Sequence, residues 1–196
     1  MSNLVMHFTI EDEKKVLLRP AETKDAAAIV DTTSKVTAEE IYLAAEKARW
    51  TVSDLAEVIQ YMTSYPYIMV VEVDKQIIGH AFVQRGQLKK NCHAAGIGML
   101  LVQGYRNKGI GTKMMEYIEA WSRNLGLKKL FLSVFHTNKR AIQLYKKSGF
   151  VVEGIREGQF LIHGEYVAEV VMGKPLTLDL KEKFKKKAYR KEEENV

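Results

Sequence analysis

A glycine-rich turn separates an apolar segment from a helical pattern in residues 99–115, MLLVQGYRNKGIGTKMM. A strand that runs through such a turn into a helix brings several free backbone N–H groups and the positive end of the helix dipole to one point. Gly109 and Gly111 lack a Cβ atom, so the backbone there can approach an anion closely. The segment therefore predicts an anion site, for which phosphate is the commonest ligand.

Two well-known phosphate-binding loops do not match this turn. A Walker loop needs a lysine and a hydroxyl residue directly after its last glycine, where this chain has Ile110 and Gly111. The dinucleotide fingerprint needs a small residue where Met114 stands, and a parallel unit that opens the domain. The pattern that remains is Arg-x-x-Gly-x-Gly at residues 106–111.

Size and composition indicate one globular domain. The chain has 196 residues, of which 46% are apolar and 28% charged, enough for a substantial core. We find no stretch of about 18 apolar residues for a membrane span and no secretory signal in residues 1–15, so we expect a cytoplasmic protein. Cys92 is the one cysteine, which excludes an internal disulfide and a cysteine metal cluster.

The net charge of +6 is compatible with nucleic-acid binding, but much of the basic charge lies in residues 181–191. A mildly basic protein that binds a polyanionic cofactor needs no nucleic acid to explain its charge. We therefore expect no nucleic-acid partner. A module that binds nucleic acid through its basic tail stays an alternative.

Apolar periodicity and turn residues predict the order of the elements. Strands are predicted at residues 16–19, 67–73, 76–84, 93–102, 129–134, 150–157 and 166–172. Helices are predicted after an N-cap at Thr23, at residues 37–49, from an N-cap at Ser53 to Pro66, at residues 107–125 and at residues 138–147. The helical connection between residues 93–102 and 129–134 requires a parallel or splayed pair, whereas the hairpins are antiparallel. The sequence thus predicts a mixed sheet covered by helices.

Three segments are expected along the chain. Residues 1–15 are polar and predict a loose N-terminal arm, residues 16–176 a single domain, and residues 177–196 a charged C-terminal tail that begins as a helix. Gly79 inside a strand indicates a bulge or a close backbone approach. One helix is expected to bury a single stripe of residues: Ile110, Met114, Ile118, Trp121 and Leu125.

A second motif lies downstream of the turn. Residues 138–150, NKRAIQLYKKSGF, are similar to the pattern Asn-x-x-Ala-x-x-x-Tyr-x-x-x-Gly-Phe, and together with Arg-x-x-Gly-x-Gly they resemble the GNAT superfamily of N-acetyltransferases. The resemblance covers residues 16–172. It implies an α/β (α+β) fold with a mixed, mostly antiparallel central sheet, a splayed parallel pair and flanking helices. It also implies acetyl-CoA as co-substrate.

The resemblance assigns roles residue by residue. It implies pyrophosphate contacts from the backbone of the turn, at Asn107, Lys108, Gly109, Ile110, Gly111 and Thr112, with Arg106 shaping the turn. Pantetheine and the acetyl carbonyl are expected along the strand, at Met99, Leu100, Leu101 and Val102. Asn138 is expected to make a polar contact with the cofactor and Ala141 to be a small neighbour of it. Tyr145 is expected to protonate the departing CoA thiolate, a role that suits a phenol of pKa about 10.

The general base is less defined by sequence. Some relatives that modify ribosomal proteins carry a glutamate where this chain has Ser133, so a carboxylate base at that place is absent. His93, at the start of the strand, is the candidate base. Glutamates near the C-terminal strands, where this family often lines its acceptor pocket, are Glu153, Glu157, Glu165 and Glu169. Tyr42, Trp50 and Tyr61 are candidates for lining an acceptor groove.

These observations predict direct transfer of an acetyl group from acetyl-CoA to a primary amine in a ternary complex. The acceptor is expected to be a small amine or an amino-acid-like molecule, with a protein N-terminus or lysine as the competing class. A non-catalytic regulator that binds acyl-CoA is the other alternative. His7, His136 and His163 lack metal-ligand spacing, so no metal is expected, and a homodimer is left open.

Overall fold

A computed structural model describes residues 4–45, 50–62 and 67–184. The strands are β1 (Met6–Thr9), β2 (Lys15–Pro20), β3 (Tyr67–Val73), β4 (Gln76–Arg85), β5 (Ala94–Leu101), β6 (Lys129–Phe135), β7 (Val151–Ile162) and β8 (Glu165–Pro175). The helices are α1 (Ala26–Thr37), α2 (Val52–Gln60), α3 (Ile110–Asn124) and α4 (Lys139–Lys147), and residues 178–184 are also helical. The predicted helix end at Pro66 and residues 185–196 of the predicted tail lie outside the described residues.

The strands form one mixed sheet in the order β1-β2-β3-β4-β5-β6-β8-β7. Every neighbouring pair is antiparallel except β5 and β6, which run parallel. That pair is joined only from Ala94 opposite Lys129 to Gly96 opposite Phe131. Beyond Gly96 the two strands separate, although β5 continues along β4 to Leu101. The predicted mixed sheet with a splayed parallel pair is therefore confirmed.

Helices cover both faces of the sheet. Helices α3 and α4 pack on one face over the main core, which includes Leu18, Met69 and Met172. Helices α1 and α2 pack on the opposite face, where a smaller cluster includes Ile29, Leu55 and Ile68. The predicted stripe of α3 is buried except at its end, because Leu125 follows the last turn and is 37% exposed.

The N-terminal third departs most from the sequence prediction. The expected loose arm contains β1, which pairs with β2 from Met6 opposite Leu18 to Thr9 opposite Lys15. Residues 38–45 are turns and bends rather than part of a helix at 37–49. The division of the chain into three segments remains a prediction.

Helix starts also differ from those predicted. The N-cap of α2 is Thr51 rather than Ser53, because Thr51 and Asp54 form a capping box, with Asp54 N donating to Thr51 Oγ1 at 3.2 Å. Near Thr23, the cap residue is Glu22, which precedes a short 3₁₀ turn that leads into α1.

Gly79 makes a close backbone approach, as predicted. A Cβ atom at this position would lie 2.4 Å from the carbonyl oxygen of Leu100 on β5. The β3–β4 register shifts directly beside it, between Val71 and Glu72. The glycine thus allows β4 to stay paired with β5 up to Leu101, beyond the point where β5 and β6 separate.

Candidate active site

The separation of β5 from β6 leaves backbone groups of β5 without a strand partner. Val102 N donates to Ile78 O on the β4 side, at 3.0 Å. Because successive residues of a strand point their N–H groups to opposite sides, the N–H groups of Leu101 and Met99 point into the gap. Such paired donors can bind a carbonyl oxygen that gains negative charge.

The turn between β5 and α3 has the backbone geometry of an anion site. Asn107 and Gly109 adopt left-handed conformations with φ of 65° and 78°. Ile110 and Gly111 open α3, and the first N–H groups of a helix have no acceptor within it. A Cβ atom at Gly111 would lie 3.0 Å from Leu144 Cδ2, so a glycine permits close packing of α3 against α4.

Arg106 clamps this turn instead of offering a free charge. Its Nε donates to Leu101 O at 2.8 Å, and its Nη1 and Nη2 donate to the two carboxylate oxygens of Glu39 at 2.7 and 2.6 Å. The guanidinium also lies 4.5 Å from the ring centroid of Tyr42. The hydrogen bonds to Glu39 raise the pKa of Arg106. The clamp therefore ties the turn to residues 38–45.

A cavity of about 330 Å³ lies between this turn and α4. The predicted site residues in its wall are Met99, Leu100, Leu101, Arg106, Asn107, Gly109, Gly111, Thr112, Asn138, Ala141 and Tyr145. Val102, Lys108 and Ile110 are not among its described lining residues, and the side chain of Ile110 is buried in the core. The two motifs of the sequence thus meet at one cavity.

Tyr145 presents a buried phenol to this cavity. The hydroxyl keeps its proton at neutral pH, and burial raises the pKa of Tyr145 further, to about 12. Its ring packs against Phe150 with centroids 5.8 Å apart. Asn138 caps α4, since its Oδ1 accepts a hydrogen bond from Ala141 N at 3.1 Å. The cap fixes the start of the helix that carries Tyr145.

A larger cavity of about 660 Å³ lies on the other face of the sheet, under α1 and α2. The two cavities share wall residues at the gap between the strands: Tyr42, Leu43, Ile97, Gly98, Met99, Leu100, Ser133 and Val134. Tyr42 and Trp50 line the larger cavity, whereas Tyr61 is 70% exposed and is not among its described lining residues. A molecule in one cavity can therefore meet a molecule in the other at the gap.

His80 lines the larger cavity and was not singled out by the sequence. It lies on β4 opposite Leu100, and paired residues of a ladder present side chains to the same face. The hydroxyl of Thr32 donates to Ile29 O at 3.0 Å, and Nδ1 of His80 lies 3.3 Å from the Thr32 hydroxyl oxygen, to which it donates in the Nδ1-protonated tautomer. Nε2 then carries the lone pair, and burial lowers the pKa of His80 to about 4.

The far wall of the same cavity carries a carboxylate. Glu169 on β8 lines the cavity, and its Oε2 accepts a hydrogen bond from Nη1 of Arg156 on β7 at 2.7 Å. Of the four glutamates near the C-terminal strands, this is the one that lines the cavity. Glu153 instead pairs with Lys129 at 2.6 Å.

The structure places His93, the base candidate from the sequence, away from the gap. His93 is exposed and precedes β5 at the end opposite to Met99, and it lines neither cavity. Six residues of strand separate His93 from Met99, which is roughly 20 Å at the rise of an extended chain. The sequence signal that would have found His80 is strand alternation, which puts His80, Phe82 and Gln84 on one face.

Comparison with known proteins agrees with this architecture. Residues 36–150 match the sequence profile described as "Acetyltransferase (GNAT) family". The chain belongs to the acetyltransferase (GNAT) family. Curated relatives of this GNAT chain include the L-amino acid N-acetyltransferase AaaT of Escherichia coli, 32% identical over 54% of this chain and 66% of the relative. The spermidine N(1)-acetyltransferase of Escherichia coli is 32% identical over 50% of this chain and 52% of the relative. The matches thus span less than two thirds of the length of these curated relatives.

Solved structures share the fold over most of the GNAT chain. A GNAT acetyltransferase from Streptococcus pneumoniae has a TM-score of 0.77 and 25% identity, and the match covers 83% of this chain and 99% of that one. YncA of Salmonella typhimurium, solved with its cofactor acetyl-CoA, has a TM-score of 0.75 and 16% identity over 83% of this chain and 95% of that one.

Within residues 4–45, 50–62 and 67–184, no group of three or more His, Cys, Asp or Glu side chains is arranged to hold a metal ion. In the same ranges, no helix has both the length and the apolar character that crossing a membrane requires.

Proposed function

We propose that this chain is an acetyl-CoA-dependent N-acetyltransferase whose acceptor is a small amine or an amino-acid-like molecule. The observation that carries the proposal is the meeting of two cavities, on opposite faces of the sheet, at the gap where β5 leaves β6. Direct transfer between two bound substrates requires such a meeting point, because the reacting atoms must come within about 3–3.5 Å.

The smaller cavity fits the cofactor. The first N–H groups of α3 and the glycine backbone at Gly109 and Gly111 would hold the pyrophosphate, as free helix N-termini do. Pantetheine would follow the open edge of β5 between Met99 and Leu101. Acetyl-CoA would supply the acetyl group as a thioester at the gap.

Two side chains on opposite sides of the gap would handle the protons. Tyr145 holds a proton at neutral pH, as any phenol does and with its pKa raised further by burial, and would give it to the sulfur that leaves. Nε2 of His80, neutral at pH 7, would accept the proton that the amine nitrogen loses as its bond to carbon forms. The N–H groups of Met99 and Leu101 would stabilise the negative charge on the acetyl oxygen.

The relatives support an amine of modest size. The name of AaaT gives L-amino acids as its substrates, and the name of the second Escherichia coli relative, the spermidine N(1)-acetyltransferase, gives spermidine. A cavity of about 660 Å³ is of the size that takes a small molecule. If small amines gave no turnover, a protein amine would be the acceptor class that remains.

Substitution of Tyr145 by Phe tests the proposal. We expect Tyr145→Phe to lower kcat by about 10²–10⁴-fold, the range for loss of a general acid, with an unchanged Kd for acetyl-CoA. The assay is thiol release over a panel of small amines, with calorimetry for acetyl-CoA. The matched control is Tyr166→Phe, at an exposed tyrosine that lines neither cavity. Equal rates for the two variants, or no turnover by the wild type with any amine, would refute the proposed function.

A further inference from the structure

The larger cavity is mainly apolar where it lies under α1 and α2. Ile29 and Val30 of α1 and Leu55 and Val58 of α2 form its roof, and Ile68 of β3 closes one side. Burying an apolar group in such a site is worth roughly 25 cal/mol per Å² of surface removed from water. The inner part of the cavity therefore favours a molecule with an apolar body of several carbon atoms.

Two titratable side chains of the cavity, His80 and Glu169, lie in one row across the sheet with Arg156. His80 is opposite Leu100 on β5, and Glu169 is opposite both Phe135 on β6 and Arg156 on β7. Continuing the β5–β6 register from Ala94 and Lys129 by six residues brings Leu100 level with Phe135. The gap where the acetyl group would lie is thus flanked by His80 on one side and by the Glu169–Arg156 pair on the other.

Arg156 has donors to spare for a ligand. Within the described residues, its guanidinium has one hydrogen bond, from Nη1 to Glu169, and its side chain is 62% exposed. The side chain of Glu169 is 11% exposed, so the ion pair holds the guanidinium at the cavity edge. Arg156 is not among the described lining residues of the larger cavity, but it lines an adjoining groove of about 280 Å³ whose wall shares Glu169, Phe82 and Ser133 with that cavity. A guanidinium held this way is suited to a carboxylate, which it can bind with two parallel hydrogen bonds.

We propose that the acceptor is an α-amino acid with an apolar side chain, whose carboxylate is bound by Arg156. This inference rests on the proposed function and names its substrate class. The amine faces the gap beside His80, the side chain enters the apolar region between α1 and α2, and the carboxylate lies at the Glu169–Arg156 end. Glu169 acts as a positioning residue, because it fixes the guanidinium.

The same wall argues against a polyamine. A polyamine carries several positive charges, and each needs an acidic or carbonyl partner when it leaves water. Among the described lining residues of the larger cavity, the one carboxylate is Glu169, and Arg156 already neutralises it. An added cation would therefore lie beside the guanidinium and be repelled by it.

Calorimetry with four probes tests the inference without requiring turnover. The chain, alone and saturated with CoA, is titrated with L-phenylalanine, phenethylamine, glycine and spermidine. Phenethylamine lacks only the carboxylate and glycine lacks the apolar side chain. We expect L-phenylalanine to bind at least about tenfold more tightly than each of the others, since a charge-assisted hydrogen bond and the burial of an apolar side chain are each worth about that factor or more.

Variants then assign the carboxylate contact. Arg156→Gln is expected to lower the affinity for L-phenylalanine at least about tenfold and to leave the affinity for phenethylamine unchanged. Arg156→Lys is expected to keep part of the affinity for L-phenylalanine because it keeps the charge. Lys147→Gln, at an exposed cation of α4, is the control and should bind as the wild type does. A thermal melt of each variant checks that it folds.

The outcomes separate the inference from the proposed function. Selective binding of L-phenylalanine without thiol release supports the inference and contradicts the transferase. Thiol release on spermidine or phenethylamine, with no preference for L-phenylalanine, supports the transferase and overturns the inference. The inference would also be overturned if Arg156→Gln lost equal affinity for L-phenylalanine and phenethylamine, or if the wild type did not bind L-phenylalanine.

Discussion

The clamp formed by Arg106 lends itself to a quantitative test, because three contacts of one side chain join the turn after β5 to residues 38–45. Arg106→Met keeps most of the aliphatic volume and removes the hydrogen bonds to Glu39 and Leu101 O together with the contact to the Tyr42 ring. The side chains of Arg106 and Glu39 are 22% and 23% exposed, so solvent screens the pair only in part.

The expected loss of stability follows from these contacts. A hydrogen bond to a charged group contributes about 1.5–3 kcal/mol, and an exposed cation–π contact about 0.5–1 kcal/mol. Partial exposure moves the ion pair to the low end of its range. We therefore expect Arg106→Met to lower the free energy of unfolding by about 2–4 kcal/mol.

Urea unfolding followed by circular dichroism measures this loss by linear extrapolation. The control is Lys113→Met, whose ion pair with Glu116 is exposed on both sides and should contribute less than about 1 kcal/mol. A double-mutant cycle of Arg106→Met with Glu39→Gln isolates the pair, and we expect a coupling of about 1–2 kcal/mol. A loss no larger than that of the Lys113 control, or zero coupling, would refute the clamp.

Two further variants test the strands that border the gap. Gly79→Ala should destabilise the chain by about 1–3 kcal/mol or more in the same urea assay, because its Cβ atom would lie 2.4 Å from a β5 carbonyl oxygen; Gly154→Ala, with no atom within 4 Å, should stay within about 0.5 kcal/mol, and equal effects would contradict the close approach. The half-buried His80, with its pKa lowered to about 4, binds fewer protons than in the unfolded chain, where its pKa is about 6.5; the stability present above pH 6.5 is therefore lost as the pH falls to 4. His80→Gln should show a smaller decrease of the urea midpoint between pH 7 and pH 4.5 than the wild type, and an equal decrease would contradict this assignment.

Local sequence signals predicted the cofactor side of the fold well. Three features of this side each depend on residues a few positions apart. They are the left-handed glycine at the start of α3, the buried stripe that begins with Ile110 and Met114, and the helix cap at Asn138. Such features are set by short-range geometry and can be read from spacing alone. The helical connection predicted that β5 and β6 are a parallel or splayed pair, and the family resemblance implied the splay.

Tertiary contacts decided the segments that the sequence did not predict. The apolar spacing in residues 37–49 favoured a helix, but residues 38–45 form turns and bends and are held by Arg106, far along the chain, through Glu39 and Tyr42. The cap of α2 was within reach of sequence, since Asp54 stands three residues after Thr51 and completes the capping box.

The acceptor side depends on strand register, which no local pattern fixes. His80, Glu169 and Arg156 come from three strands and reach one row because each is opposite a particular residue of its neighbour. A shift of one residue in any of these pairings would turn the side chain to the other face of the sheet. Sequence alone therefore suggested glutamates near the C-terminal strands without selecting Glu169.

One topological event accounts for both halves of the site. After Gly96, β6 leaves β5 but keeps its pairing with β8 as far as Phe135 opposite Glu169. The same separation frees the N–H groups of β5, opens a passage between the faces of the sheet, and brings a carboxylate of β8 to the rim of that passage. A sheet in which β5 and β6 stayed paired to their ends would close the passage and consume the donors. The chemistry proposed for the gap and the acceptor proposed for the larger cavity thus both require the strands to separate at this point.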